Sequence, residues 1–175
     1  MNSALLQSAT VSLRPIERTD LPLMYRLEND SATWDSAATP QPMSRSTIER
    51  FISSATGDIY TDRQLRLVIE RADTRTAIGF VDLTDFSPRH LRAEVGIIVL
   101  PEHRRQGFGS EALRIVEQYA AKALLVHQLY AYVSPSNERS VRLFAGRGYK
   151  QAGTLRDWLQ TNEGFQPILL LQKVF

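Results

Sequence analysis

The chain contains no cysteine, and this absence excludes several kinds of chemistry at once. Disulfide bonds, thiolate catalysis and cysteine-ligated zinc or iron–sulfur sites all require that residue. The three histidines, His90, His103 and His127, do not have the spacing of a metal-binding motif. The sequence therefore predicts a protein without a bound metal.

Long apolar runs and a strong net charge are missing as well. No segment approaches the roughly 18 apolar residues that a membrane helix requires, and residues 1–15 lack the basic start and apolar stretch of a secretion signal. Lys and Arg number 21 against 19 Asp and Glu, which is too even a balance for the dense basic face that nucleic acid binding needs. We expect a cytoplasmic protein that binds neither a membrane nor nucleic acid.

What remains is the composition of an ordinary globular domain. The 175 residues are 43% hydrophobic and 23% charged, so we expect one domain over residues 1–175. Strands are predicted over 10–14, 64–70, 76–83, 94–100, 128–133, 149–159 and 165–174, and helices over 20–28, from 44 or 46 through 52, 109–123 and 137–145. This order predicts a mixed α and β fold with one strand–helix–strand crossover, and not a regular doubly wound sheet.

The most informative segment covers residues 93–112, with the sequence AEVGIIVLPEHRRQGFGSEA. An apolar strand is followed by two arginines, Arg104 and Arg105, and then by Gly107 and Gly109 at the start of a helix. Glycine lets backbone N–H groups approach a ligand, and a helix start adds unpaired donors and the positive end of a dipole. We therefore predict a pyrophosphate site at this bend.

Two other interpretations of the same bend stay open. Residues 107–112 also fit the GxGxxA fingerprint of dinucleotide-binding folds, although the next predicted strand ends at Val133 and Ser134, where a ribose-binding acidic residue is missing. The glycines are also compatible with a plain helix start that binds nothing. A Walker-type loop is excluded, because the chain has no Gly-Lys-Ser or Gly-Lys-Thr sequence.

A second group of polar residues follows the next predicted strand. Asn137 opens a helix there, and its most frequent role in isolation is that of a helix cap. Its position also places it at the carboxyl end of a strand beside the glycine bend, where open α/β sheets bind ligands. Arg139 and Arg142 add positive charge on the same side. A polyphosphate with a long polar tail would contact both groups.

These residues resemble a known family. Residues 104–109 are similar to the R-x-x-G-x-G/A signature of the GNAT superfamily of acyl-CoA N-acyltransferases, and residues 137–149 are similar to its second motif. The opening LRPIERTDL (residues 13–21), the pair Ala93-Glu94 and residues 153–157 resemble most the spermidine/diamine and the ribosomal-protein N-terminal acetyltransferase subgroups.

The resemblance implies a GNAT-like α+β fold. Its central mixed sheet has about seven mostly antiparallel strands, with the fourth and fifth strands parallel and splayed, together with about four helices. Acetyl-CoA is the implied co-substrate, and a homodimer is common in the family. The implied cofactor contacts are Ile97, Ile98 and Val99 for the pantetheine arm, Arg104, Arg105, Gln106, Gly107, Phe108, Gly109 and Ser110 for the pyrophosphate, and Asn137, Ser140 and Phe144 nearby.

The implied chemistry is acetyl transfer to a primary amine, which must first lose a proton. An amine with a pKa near 10.4 lies about 3.4 units above pH 7, so its deprotonation costs roughly 4.6 kcal/mol. A carboxylate near the cleft lowers that barrier. Glu94 is the predicted base, because it starts the splayed strand and related polyamine enzymes have a Glu in that position. An exposed carboxylate that only binds a cationic substrate is the alternative.

The general acid is harder to assign. Many family members have a Tyr where this chain has Phe144, which cannot donate a proton. Ser140 matches a serine proposed as the acid in the ribosomal-protein subgroup, so it is the predicted catalytic partner of Glu94. The other candidates are Tyr130, Tyr132 and Tyr149, or a proton from solvent, because a thiolate is a good leaving group.

The acceptor is predicted to be a small cationic amine, with polyamines favoured. Residues 1–60 contain five Arg, no Lys and seven Asp or Glu, and this slight acidity suits a cation. Trp34 and Trp158 are predicted walls of the acceptor pocket, together with Glu94. A protein N-terminal acetyltransferase and a non-catalytic CoA-binding regulatory module are the two alternatives.

Overall fold

The computed structural model describes residues 3–30 and 41–175, so the predicted acceptor residue Trp34 lies outside the described residues. Within these ranges the chain forms seven strands and five α-helices. The strands are β1 (Val11–Pro15), β2 (Leu65–Arg71), β3 (Ala77–Ser87), β4 (Arg92–Val99), β5 (Gln128–Val133), β6 (Lys150–Thr161) and β7 (Gly164–Val174). The helices are α1 (Leu21–Glu28), α2 (Arg45–Ser54), α3 (Ile59–Asp62), α4 (Phe108–Lys122) and α5 (Glu138–Gly146). None of these helices is long and apolar enough to cross a membrane.

All seven strands belong to one sheet in the order β1-β2-β3-β4-β5-β7-β6. Every neighbouring pair is antiparallel except β4 and β5, which are parallel and are joined by α4. A parallel pair needs such a crossover, because a tight turn reverses the chain direction. The expected mixed sheet of seven strands is confirmed.

Apolar side chains cover both faces of the sheet. One face packs against α4 through residues that include Leu113 and Val116, which are fully buried. On the other face, α1 and α2 bury Met24 and Ile48 against Phe80 of β3. The period of apolar residues in these helices predicted the buried stripes, since positions three and four apart share one helix face.

The two parallel strands separate soon after they meet. Their pairing comprises Arg92 with Gln128, Ala93 with Leu129, and Glu94 with Tyr130. Beyond this point β4 continues to Val99 without further pairing to β5. The splayed arrangement that the resemblance implied is therefore present, and it leaves backbone groups of β4 facing a gap.

Strand β3 ends at Ser87, four residues later than predicted, and two details concern the helices. The short helix α3 was not predicted; Asp58 caps it by accepting a hydrogen bond from the Tyr60 backbone N–H at 3.0 Å, and Ile59 is its buried residue. A single turn is too short to show helical periodicity. Helix α4 begins at Phe108, one residue earlier than predicted, with Gly107 as its N-cap.

Candidate active site

A cleft of about 1090 Å³ opens where β4 and β5 separate. The start of α4 and one side of α5 form one end, and α1, β2 and β3 form the other. The structure brings most of the predicted residues to this cleft. Those that line it are Glu94, Ile97, Ile98, Val99, Arg104, Arg105, Gly107, Gly109, Ser110, Asn137 and Ser140.

The glycine bend lies beside open space at the edge of the cleft. Gly107 has φ +85°, and a Cβ atom built on it meets no other atom within 4 Å. Arg105 also has a positive φ, 62°, which is uncommon for a residue with a side chain. The first N–H groups of α4 have no partner within the helix, so this bend presents backbone donors to a ligand.

Positive charges from two separate elements converge at the same end. Arg104 precedes the bend and donates from Nε to the carbonyl oxygen of Val99 at 2.7 Å, which fixes it at the end of β4. Burial lowers the pKa of Arg104, and the nearby charge of Arg139 on α5 lowers it further. Two cations that disfavour each other's charge across a cleft would both be stabilised by an anion between them.

The start of α5 forms the wall opposite α4. Asn137 is its N-cap, because its side-chain Oδ1 accepts a hydrogen bond from the Ser140 backbone N–H at 3.2 Å. Both side chains also line the cleft. Capping and ligand binding are therefore compatible for Asn137, since an amide has donors that the cap does not use.

Carboxylates dominate the other end of the cleft. Arg66 donates to Glu28 at 2.6 Å and to both oxygens of Asp82 at 2.8 and 2.9 Å. Glu94 lies next to them on the neighbouring strand, whereas Asp30, which also lines the cleft, is close enough to Arg104 for its charge to offset part of the lowering that burial causes in the pKa of that residue. Three carboxylates, those of Glu28, Asp82 and Glu94, against the one guanidinium of Arg66 leave this end acidic.

Sequence reasoning missed the Arg66–Asp82 pair, although it left a signal. Arg66 and Asp82 are cross-strand partners, and the next pair on the same face is Val68 with Phe80, both of which are buried. Side chains alternate between the two faces of a strand, so charges two residues from a buried position point toward the same side. Charges on an otherwise apolar face indicate a paired or functional group.

Glu94 lies at the point where the strands separate. It is half-buried, and its cross-strand partners are Thr84 of β3 and Tyr130 of β5. Burial raises the pKa of Glu94, and the negative charge of Asp85 raises it further. A carboxyl with a raised pKa is a better proton acceptor once it is ionised, which suits a general base.

The tyrosines do not supply an evident acid. The Tyr130 hydroxyl donates to Asp85, and burial followed by this hydrogen bond raises the pKa of Tyr130. Tyr149 is buried against Phe144 with ring centroids 4.9 Å apart, and burial also raises its pKa. Neither side chain lines the cleft, and a raised pKa makes a hydroxyl a weaker acid.

Four of the predicted site residues lie outside the cleft lining. Gln106 donates to the carbonyl oxygen of Glu102 at 3.0 Å, and Phe108 packs against the core near Arg71. Phe144 is 3% exposed and belongs to the core. Trp158 is 55% exposed and stacks on Tyr132 with centroids 6.0 Å apart.

The cleft thus has two ends of opposite charge. Backbone donors and arginines at one end suit a diphosphate, and carboxylates at the other suit an organic cation. Between them lies the unpaired edge of β4, which can hydrogen-bond an extended polar chain. The arrangement can hold an anionic donor and a cationic acceptor with their reacting ends near Glu94.

Comparison with known proteins gives consistent matches. The model of the acetyltransferase (GNAT) domain family matches residues 10–150. The chain is similar to spermidine N(1)-acetyltransferase of Escherichia coli (strain K12), with 28% identity over 83% of this chain and 76% of that protein. An uncharacterised N-acetyltransferase of Bacillus subtilis (strain 168) is 38% identical, but the match spans only 57% of this chain and 56% of the relative.

The solved structures agree with these relatives. Spermidine N-acetyltransferase from Vibrio cholerae, in complex with CoA and spermine, has a TM-score of 0.85 and 26% identity. The match covers 95% of this chain and 96% of that one. Another structure of the Vibrio cholerae enzyme, described as dodecameric, has a TM-score of 0.79 at 26% identity.

Proposed function

The chain belongs to the GNAT family of acetyltransferases, and from this premise we propose that it transfers the acetyl group of acetyl-CoA to a primary amine of a polyamine. The observation that carries the proposal is a cleft with arginines at one end and carboxylates at the other. Family membership also favours coenzyme A over a nicotinamide dinucleotide as the ligand of the glycine bend. The spermidine N-acetyltransferases among the relatives support the polyamine as acceptor.

The cationic end fits the diphosphate of coenzyme A. The open space beside Gly107 allows a diphosphate to approach the first N–H groups of α4, while Arg104 and Arg105 supply charge. Gln106 and Phe108 contribute through their backbone, because their side chains lie outside the cleft. The edge of β4 at residues 97–99 is free to pair with the pantetheine arm, near Asn137 and Ser140. The predicted contribution of Phe144 to the cofactor site stays a prediction, and its buried side chain would act as a support for α5.

Acetyl-CoA supplies a thioester, and the chain supplies the proton transfers. Glu94 accepts a proton from the ammonium group of the acceptor, directly or through a water molecule, and the neutral nitrogen then attacks the thioester carbon. The C–S bond breaks, the nitrogen releases its second proton as the amide forms, and the sulfur takes up a proton, so that one proton stays on Glu94 and one ends on the thiol. We propose Ser140 as the donor of this proton, since it lines the cleft at the first turn of α5, and its hydroxyl takes up the proton that the nitrogen releases.

The acidic end fits the acceptor. Glu94 lines it, and Arg66 offsets part of the charge of Glu28 and Asp82. Methylene groups of a polyamine would lie along the apolar side chains nearby, while its ammonium groups face carboxylates. Trp158 stays a proposed acceptor contact, and so does Trp34, which lies outside the described residues.

A thiol-release assay with acetyl-CoA tests the proposal. The panel contains spermidine, spermine, n-butylamine, amino acids and peptides with free N-termini. We expect spermidine and spermine to have the highest kcat/KM. Preference for the peptides would contradict the polyamine and favour a protein N-terminal acetyltransferase. Acetyl-CoA binding by calorimetry with no thiol release from any amine would instead identify a non-catalytic CoA-binding module.

We also propose that the protein self-associates. Homodimers are common among members of the family, and the solved Vibrio cholerae relative is described as dodecameric. Sedimentation velocity at several protein concentrations measures the state directly. A single species with the mass of one 19.8 kDa chain at all concentrations would contradict this proposal.

A further inference from the structure

One buried carboxylate has no part in the chemistry described above. Glu117 lies in the middle of α4 and is only 3% exposed. Its Oε2 accepts hydrogen bonds from Arg147 Nη2 at 2.6 Å and from Lys173 Nζ at 2.7 Å. Its Oε1 is buried and has no hydrogen-bond partner among the described residues. Both bonds therefore depend on one oxygen atom.

These bonds connect three elements. Arg147 is the C-cap of α5, where its backbone N–H bonds to carbonyls of the last helical turn. Lys173 lies on β7 and also donates to the Arg147 carbonyl oxygen at 2.8 Å. Glu117 thus joins the middle of α4 to the end of α5 and to the sheet.

Besides this bond, helix α5 is attached by apolar packing, and Val141 and Leu143 are partly buried against the core. Phe144 is its buried residue. Near the cleft, α5 approaches α4 at Leu143 and Gly109. A Cβ atom built on Gly109 would lie 4.0 Å from Leu143 Cδ2. Because the α4 residue at this contact is a glycine, no α4 side chain takes part in it. Within residues 3–30 and 41–175, the bond between Glu117 and Arg147 is the ion pair that links the two helices.

The two helices are also the two walls of the proposed coenzyme A site. The start of α4 provides the glycine bend, and α5 provides Asn137, Ser140 and Leu143 to the cleft. Because the diphosphate and the pantetheine arm contact different walls, their spacing must match the ligand. A displacement of about 1 Å between positioned groups is enough to weaken binding or catalysis strongly.

We propose that Glu117 is a positioning residue that holds α5 against α4 at the spacing coenzyme A requires. The inference rests on the proposed function, because it assigns Glu117 a role in the same site. A positioning role differs from a purely structural role in one respect. Loss of Glu117 must weaken the affinity for coenzyme A even in a variant whose stability has been restored.

Two variants separate these roles. Glu117→Gln leaves the partly buried Arg147 and Lys173 without a counter-charge, so it destabilises the fold and weakens the attachment of α5 to α4, while the bond from Lys173 to the Arg147 carbonyl oxygen remains. Glu117→Gln combined with Lys173→Met removes one of those cations and replaces the ion pair partly by apolar contact, which restores stability in many buried pairs. The double variant regains melting temperature but still lacks the carboxylate that binds Arg147.

Glu70→Gln is the matched control. Glu70 on β2 is 5% exposed and also has two cationic partners, with Arg14 Nε and Arg75 Nε each at 3.1 Å. It lies outside the cleft lining. Its loss destabilises the fold by the same physical cause, but it does not touch either helix that forms the coenzyme A site.

The measurements are the Kd of coenzyme A by calorimetry, the KM of each substrate, kcat and the melting temperature, all at a temperature where every variant is folded. We expect the Kd of coenzyme A to rise about tenfold in both Glu117 variants, with the KM of spermidine little changed. Glu70→Gln keeps the wild-type Kd despite a lower melting temperature.

Three results would overturn the inference: a wild-type Kd in Glu117→Gln, recovery of affinity together with stability in the double variant, or an equal loss of affinity in Glu70→Gln. Absence of coenzyme A binding by the wild-type protein would overturn the proposed function itself. The two failures are therefore distinguishable.

Discussion

Glu94 combines partial burial with a neighbouring negative charge, and both favour its protonated form. The ionised form is the one that accepts a proton, so kcat/KM for the amine must rise with pH as Glu94 ionises. Because its pKa is raised, the midpoint of this rise lies above the value of about 4.3 that is usual for Glu. The pH dependence of kcat/KM measures that midpoint.

Replacement of Glu94 by Gln removes the base and keeps the shape of the side chain. We expect kcat/KM to fall by about 10²-fold or more, with an unchanged Kd for coenzyme A, because the role proposed for Glu94 concerns the acceptor amine. Steady-state kinetics and calorimetry measure the two quantities. An unchanged rate would remove Glu94 from the mechanism, and a large loss of coenzyme A affinity would place it in the donor site instead.

The same pKa shift predicts an effect on stability. A carboxyl whose pKa is raised by folding stabilises the native state less as pH rises through that pKa, since the charged form is disfavoured there. Glu94→Gln should therefore melt at a higher temperature than wild type at neutral pH, with the difference vanishing below the usual pKa of Glu. A lower melting temperature for Glu94→Gln at neutral pH would contradict the assigned environment.

The sequence alone identifies some residues of the site and misses others. Glu94 and Asn137 were predicted because each adjoins a recognisable motif at a strand end. Arg66 and Asp82 were missed because they lie on separate strands, and only the sheet register makes them partners. Trp158 was predicted as a pocket wall, but it stacks on Tyr132 outside the cleft lining, which composition does not reveal.

The start of α4 offers a matched pair of substitutions among its glycines. Gly107 has φ +85°, so Ala there is strained by about 1 kcal/mol, and its Cβ would enter the open space proposed for the diphosphate. Gly107→Ala should lower both the free energy of unfolding and, by about tenfold, the affinity for coenzyme A. Denaturant titration and calorimetry measure these changes.

Gly109→Ala is the control for that substitution. A Cβ at this position would lie 3.8 Å from Val99 Cγ2 and 4.0 Å from Ile97 and Leu143, which are ordinary contacts, and its φ is unstrained. Ala also favours a helix over Gly by up to about 1 kcal/mol. The free energy of unfolding and the affinity for coenzyme A should stay near their wild-type values or rise. The R-x-x-G-x-G/A signature agrees with this, because it allows Gly or Ala at this position. Equal losses in both variants would contradict this account of the bend.

The helices and strands themselves were largely predictable, whereas their relative placement was not. The period of apolar residues identified α4, and the turn after Thr161 separated β6 from β7. The splay of β4 from β5 has no signal in either strand, because both are rich in residues that favour sheets. It arises from where the parallel pairing ends, at Glu94 and Tyr130.

The whole molecule acts as a scaffold for one cleft of opposed charge. The parallel pair in an otherwise antiparallel sheet creates the gap, and the crossover helix α4 brings donors to one end of it. The other end collects carboxylates from α1, β3 and β4. A net charge of only +2 conceals this separation, which explains why overall composition gave no sign of an anionic donor and a cationic acceptor.

This separation of charge predicts that salt weakens the binding of the acceptor amine, and more strongly for an amine with more positive charges. From about 0.1 M to about 1 M salt the Debye length falls from about 10 Å to about 3 Å, so attraction from carboxylates beyond direct contact is lost. At saturating acetyl-CoA, the KM of spermidine should rise several-fold across this range, and that of n-butylamine should rise much less, because it carries one charge. Initial rates at each salt concentration give both slopes. Equal slopes for the two amines would mean that the acidic end does not bind the additional ammonium groups, and the acceptor would then be recognised at its reacting nitrogen alone.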